Sequence, residues 1–127
     1  MTKECPFCPM FSSEDIIDIE PLNPVIKGHR LVIPREHVAD FTEDGKVLAR
    51  CMEYASKLAE KLGGDFNLIT SKGKNATQTV YHLHIHLVPR KENDGLKLPW
   101  SGQSPPKKKS GEIETNVPIR GVKKGKE

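Results

Sequence analysis

Residues 78–90 read Gln78-Thr79-Val80-Tyr81-His82-Leu83-His84-Ile85-His86-Leu87-Val88-Pro89-Arg90 and set three of the chain's five histidines at every second position. In an extended strand, alternate side chains point to the same face. The spacing predicts a strand with His82, His84 and His86 along one side and an apolar row, Tyr81, Leu83, Ile85 and Leu87, along the other. The apolar row belongs in a core. Imidazole suits proton transfer near neutral pH and metal ligation, so three in register on a core strand point to chemistry.

The rest of the chain is short. At 127 residues and 35% hydrophobic content, it can bury one modest core, expected over residues 1–100 as a single domain. No apolar run approaches the roughly 20 residues that span a bilayer, and the first residues lack the apolar stretch of a signal peptide. A cytoplasmic protein with no membrane partner is expected. Cys5, Cys8 and Cys51 are an odd count, which argues against a disulfide framework and leaves metal binding for two of them. Cys5-Pro6-Phe7-Cys8 is a Cys-x-x-Cys turn, which commonly supplies half of a tetrahedral zinc site.

Residues 16–20 alternate as a short strand, 21–28 are a Pro/Asn/Gly turn, and 29–34 read as a second strand stopped by Pro34. Thr42 is the expected N-cap of a helix whose apolar stripe is Val47, Leu48, Cys51, Tyr54, Ala55, Leu58 and Leu62, ending at Gly63-Gly64. Cys51 lies on that stripe and reads as a small core residue. Residues 65–70 form a further strand, and a polar loop, 71–77, leads into the histidine strand. Leu96, Leu98 and Trp100 offer one last anchor on the body. Residues 101–127 are rich in Pro, Gly, Ser and Lys and cannot bury enough apolar surface to offset their ordering entropy. A disordered basic tail is expected.

Closing a zinc site around Cys5 and Cys8 takes two more ligands, and His29, His37, His82, His84 and His86 are available. All three strand histidines on one metal with an open position would make a hydrolytic centre and leave the cysteines unused. One strand histidine and one loop histidine with the two cysteines would instead leave two strand histidines free for chemistry.

His82-Leu83-His84-Ile85-His86-Leu87-Val88 resembles the His-φ-His-φ-His-φ-φ signature of the histidine-triad superfamily, where φ is apolar. The stretch from Asn23-Pro24 through Gly28-His29 and Leu31-Val32-Ile33-Pro34 to His37 is similar to that family's preceding strand motif, and the leading Cys-x-x-Cys to its zinc-containing branch. The resemblance implies an α+β fold with a five-stranded antiparallel sheet, one main helix and an N-terminal zinc knuckle, assembled as a homodimer. It implies a structural Zn2+ held by Cys5, Cys8, His37 and His82. It makes His84 the nucleophile at the α-phosphorus of nucleoside phosphoramidates, nucleotidyl esters or dinucleoside polyphosphates, through a nucleotidyl-histidine intermediate. A transferase or phosphorylase is the close variant.

By the same resemblance, His86 donates to a phosphate oxygen, Gln78 and Thr79 stand beside the leaving group, and Asn23, Ser71, Thr77, Gln78 and His86 contact the nucleotide. His29 reads as a hydrogen-bonded histidine that fixes a turn, and Arg90 as a phosphate contact or a solvated cation. The chain departs from the family in its short 8–23 segment, in Pro21 where relatives carry a ribose-binding acid, and in Ser71 and Ala76-Thr77 in the loop before the triad. Lysines at 107–109 and at 123, 124 and 126 motivate a second reading, a nucleic-acid-associated enzyme resembling the aprataxins, which remove adenylate from DNA ends. The abbreviated pocket motivates a third, a non-catalytic zinc module that binds a nucleotide.

Overall fold

Arg30-Leu31-Val32-Ile33-Pro34 is rich in β-branched and apolar residues, and in the computed structural model, which describes residues 5–101 and Gly121, it forms a central strand, β2 (Arg30–Pro34). Around it lie β1 (Ile16–Ile19), β3 (Asp65–Ile69) and β4 (Ile85–Arg90), in the order β1-β2-β4-β3 and antiparallel throughout. One helix, α1 (Gly45–Leu62), covers one face. The expected α+β architecture with one main helix is present. The described residues hold four strands rather than five, because Cys8–Met10 form a 3-10 turn within the Cys-x-x-Cys region and the following residues pair with no strand before β1.

Strand alternation sorts the side chains into two clusters. Val32 and its cross-strand partner Ile85 face α1 and pack with Val38, Val47, Cys51, Ala55 and Leu83. Val47, Cys51 and Ala55 are the buried stripe of the helix at i, i+4 and i+8, and Cys51 is fully buried. Burial pushes its thiol up to about 11, so it is an inert core residue. Leu31 and Ile33 face the other way and pack with Phe7, Phe11, Ile17, Ile19 and Val80.

Asp44, not Thr42, caps the helix: its carboxylate accepts from the backbone N–H of Lys46 and Val47. Thr42 is two residues too early and donates to Asp40 instead. At the other end, Gly63 takes φ 72° and its N–H closes on the Ala59 carbonyl. Tyr54 of α1 donates to the Asp18 carboxylate, which Arg30 also grips at 2.9 Å through Nε, so helix, β1 and β2 share one polar tie.

The histidine strand is shorter than its sequence pattern. Regular pairing begins at Ile85, while residues 81–84 run irregularly because their polar groups go elsewhere. The Leu83 N–H donates to the Val38 carbonyl at 2.7 Å and the His82 ring donates to the Pro34 carbonyl at 2.8 Å, both beyond the ladder. Tyr81 drops out of the apolar row and is half-exposed. The Arg90 guanidinium bonds Asp94, Asn67 and the Leu96 carbonyl, tying down the end of β4. The chain divides into one unit ending at Leu96 and a second from Lys97 onward. In the second, Leu98 N–H is capped by the Ser101 hydroxyl and Trp100 is 61% exposed. The expected disorder of 101–127 lies almost wholly outside the described residues. Among the described residues, no helix is long and apolar enough to cross a membrane.

Candidate functional site

His82 is fully buried against the turn that follows β2. Its Nε2–H donates to the Pro34 carbonyl at 2.8 Å, and a neutral imidazole with its proton on Nε2 keeps its lone pair on Nδ1. Burial is the first cause that depresses its basicity, which the Pro34 carbonyl opposes. That Nδ1 lies 3.2 Å from Cys5 Sγ, 3.6 Å from Cys8 Sγ and 3.1 Å from His37 Nδ1, while Cys8 Sγ lies 3.2 Å from His37 Nδ1. All four ligand atoms fall within 4.8 Å of one another.

Zinc bonds of about 2.0–2.3 Å imply tetrahedral edges of roughly 3.3–3.8 Å, so the two-sulfur, two-nitrogen set fits one such ion. Desolvation, then the hydrogen bond and charge of Cys5, push the Cys8 thiol up. The Cys8 thiol therefore keeps its proton until a cation takes its place. The cluster assembles three distant parts of the chain: the Cys-x-x-Cys turn, the loop after β2, and the approach to β4.

The other three histidines form a second group. The His84 Nδ1–H donates to the backbone carbonyl of His82 at 2.8 Å, which leaves the lone pair on Nε2. Thr70 Oγ1 donates to the His84 carbonyl at 2.8 Å and fixes the backbone from the β3 side. His86 pairs with Leu31 across the sheet and so shares the face opposite α1. Its Nδ1 is 2.9 Å from Nε2 of His29. Because the Val25 N–H donates to His29 Nδ1 at 3.1 Å, the proton of neutral His29 sits on Nε2 and is given to His86 Nδ1. His86 then carries its own proton on Nε2.

Burial, and after it the charges of His84 and His29, depress His86 to about 4, and burial lowers His29 as well. Both are neutral near pH 7. His84 and His86 stand with ring centroids 5.3 Å apart, one presenting a lone pair and the other an N–H. That combination suits attack on an anionic phosphorus centre.

Two residues enter the site that sequence reasoning did not assign there. His29 reaches His86, and the signal for it is Gly28, whose φ of 94° turns the chain immediately before it. A Cβ at position 28 would also stand 3.2 Å from Pro89 Cγ. Phe7, between the two cysteines, is buried and meets His84 edge-on at 5.2 Å and His82 at 5.8 Å. Its place inside the Cys-x-x-Cys turn was the available clue.

The nucleotide-contact candidates are spread more widely. Gln78 is buried and its amide is fully used: Oε1 accepts from the Gly73 N–H at 2.8 Å, and Nε2 donates to the Ala39 and Val80 carbonyls. It clamps the 71–77 loop. Thr79, Asn23 and Thr77 are exposed, the last at φ 66°, and Ser71 is half-buried.

The HIT domain profile matches residues 9–93. The chain belongs to the HIT family. This HIT-family chain is 33% identical to an adenylylsulfatase of Arabidopsis thaliana over 80% of its own length and 53% of the relative's, so it spans about half of that protein. It is 31% identical to the adenosine 5′-monophosphoramidase of Saccharomyces cerevisiae, covering 89% of this chain and 80% of that one. Among solved structures, a zinc-bound histidine triad family protein from Mycobacterium smegmatis superposes with a TM-score of 0.64 at 31% identity, covering 73% and 79% of the two chains.

Proposed function

We propose that this HIT protein is a nucleotide hydrolase that cleaves at the α-phosphorus of a nucleoside 5′-phosphoryl compound, with His84 as nucleophile. One observation carries the reading: the hydrogen bond from His84 Nδ1–H to the His82 carbonyl leaves the Nε2 lone pair available on the same face as the Nε2–H of His86. The lone pair forms a P–N bond, the bond to the leaving group breaks, and water then hydrolyses the nucleotidyl-histidine, so one hard displacement becomes two easier ones. His86 donates to a non-bridging phosphate oxygen, where the developing charge is largest. The half-buried Ile17 and Ile19, packed on the cluster of Leu31 and Phe7, suit the nucleoside, and the relatives named above support a nucleotide as substrate.

Cys5, Cys8, His37 and His82 hold a structural Zn2+ in this reading. The ion, when bound, ties the N-terminal turn to the segment that carries His84, and the chemistry is left to the free histidines. A homodimer is supported by β3, an outer strand of the sheet whose Leu68 and Ile69 are each 40% exposed.

Intact-mass spectrometry of the protein mixed with adenosine and guanosine phosphoramidates and dinucleoside polyphosphates, quenched at alkaline pH to preserve the P–N bond, tests the proposal. A transient gain of one nucleotide, lost in His84→Ala with zinc retained, is expected. Turnover undiminished in His84→Ala would end it. Product analysis with and without added phosphate separates hydrolase from transferase.

A further inference from the structure

We propose that Cys5 and Cys8 are a site of reversible oxidation, joined as a disulfide by a peroxide, and that this modification empties the Cys5/Cys8/His37/His82 cluster and takes His84 out of its working orientation. The first half concerns the two sulfurs alone. The second half rests on His84 being the nucleophile.

Two residues separate the cysteines in sequence, and their sulfurs lie within 4.8 Å of one another beside the rings of His37 and His82. Both are free thiols, Cys8 exposed and Cys5 half-buried. An accessible sulfur with a second one close behind it lets the first meet an oxidant and the second resolve the product. Cys51, the third thiol, takes no part. It is packed under α1, whereas Cys5 packs on the cluster of Phe7, Leu31 and Ile33 on the opposite face of the sheet, and burial pushes the Cys51 thiol up to about 11. One pairing is therefore open, and it closes within a single turn of chain.

Metal ligation holds both sulfurs as thiolates, the form that attacks a peroxide. Cys8 Sγ forms an S–O bond as the O–O bond breaks, giving a sulfenic acid and a hydroxide that takes a proton to become water. Cys5 Sγ then attacks the Cys8 sulfur: the S–S bond forms, the S–O bond breaks, and the second hydroxide also leaves as water. The sulfurs together lose two electrons, the peroxide gains them, and two protons are consumed. A disulfide carries no charge to offer a cation, so His37 and His82 remain alone, half of the donor set that a tetrahedral site takes.

Two links carry the change to the nucleophile. Phe7 stands between the cysteines, and its buried ring meets His84 edge-on at 5.2 Å. Its carbonyl accepts from the Met10 N–H at 3.1 Å, within the turn that Cys8 opens. Drawing the sulfurs together therefore moves the residue that packs on His84. His82 is the other link, since its ring belongs to the cluster and its carbonyl accepts from His84 Nδ1–H at 2.8 Å.

The test takes the full chain, reduced and loaded with zinc, through a hydrogen peroxide series. Loss of the mass of two hydrogens, a peptide map joining Cys5 to Cys8 with Cys51 still free, and release of zinc to a chromogenic chelator are expected to rise together. Turnover of adenosine 5′-phosphoramidate should fall roughly tenfold, the lower end of what losing the groups that orient a site costs, and return with dithiothreitol and zinc. Both thiols reduced and zinc retained, at a dose that already converts the exposed Met10 to its sulfoxide, would overturn the proposal, as would Cys8 sulfonic acid without a disulfide. Disulfide and zinc release with turnover undiminished would overturn the link to His84. No turnover in the reduced, zinc-loaded chain would overturn the proposed function instead, while the mass and zinc readouts still decide the disulfide.

Discussion

Nε2 of His29 lies 2.9 Å from Nδ1 of His86, a contact across 57 residues of sequence that decides which nitrogen of His86 carries the proton. The direction of the bond is set two steps away, by the backbone N–H of Val25 on the far side of the His29 ring. A turn of the main chain thereby determines which nitrogen of His86 is the donor.

His29→Phe removes both hydrogen bonds while keeping a ring in the space. kcat is expected to fall roughly 10²-fold, the lower end of what a positioned proton donor contributes, with KM changed far less. Nitrogen-15 spectra of the His86 ring should move from a single Nε2–H tautomer to a mixture. An unchanged ring spectrum would show that the tautomer is set by something other than His29.

The depressed His86 has a consequence for stability. In the unfolded chain it protonates near 6.5, whereas in the fold it stays neutral down to about 4. As pH falls through that interval, the unfolded state binds the proton and the folded state does not. The stability contribution is present above 6.5 and lost between 6.5 and 4, by about 2 kcal/mol after allowance for partial exposure. Urea unfolding of wild type and His86→Phe at several pH values, with equal zinc loading, should show a smaller fall in the variant over that window. Parallel curves would refute the assignment.

Sequence reasoning reached the α+β architecture, an antiparallel sheet with one main helix, because it is carried by short-range patterns. The apolar run at 31–33, the Val47/Cys51/Ala55 spacing and the Gly63-Gly64 stop each state a local preference that the fold leaves intact. It failed where long-range hydrogen bonds override periodicity. The two-residue repeat extends the histidine strand back to Tyr81, but Pro34 and Val38 draw His82 and Leu83 out of the ladder. Nothing in the sequence around His86 announces His29 as its partner. Thr42 and Asp44 are both good capping residues, and only the start of the helix decides between them. Gln78 has the residue type of a substrate contact, yet its amide is used by backbone groups of its own loop and of Ala39.

That last point gives a prediction. Gln78→Leu leaves the Ala39 carbonyl and the Gly73 N–H without their partner and should cost about 1–3 kcal/mol, read as a lowered urea midpoint. Thr79→Val, at an exposed position, should leave stability within about 0.5 kcal/mol. If both variants are equally stable, the buried amide is not holding the loop.

Removing the metal should act on fold and activity together. One zinc per chain is expected by elemental analysis, falling well below half in Cys8→Ser. A ligand bound at a hundred times its dissociation constant adds about 2.7 kcal/mol, so chelation should lower the melting temperature clearly. Activity should fall further than stability requires, because His82 is both a member of the Cys5/Cys8/His37/His82 cluster and the residue whose carbonyl orients His84. Full activity in zinc-free, folded protein would separate the two roles.

The protons of His82, His84 and His29 are placed by the carbonyls of Pro34 and His82 and the amide of Val25, groups of the main chain rather than of any side chain. The portable unit is therefore not the triad. Grafting His-x-His-x-His onto a strand of another scaffold would transplant three imidazoles in arbitrary tautomers, and a working copy would have to import the turn before His29 and the end of β2 as well.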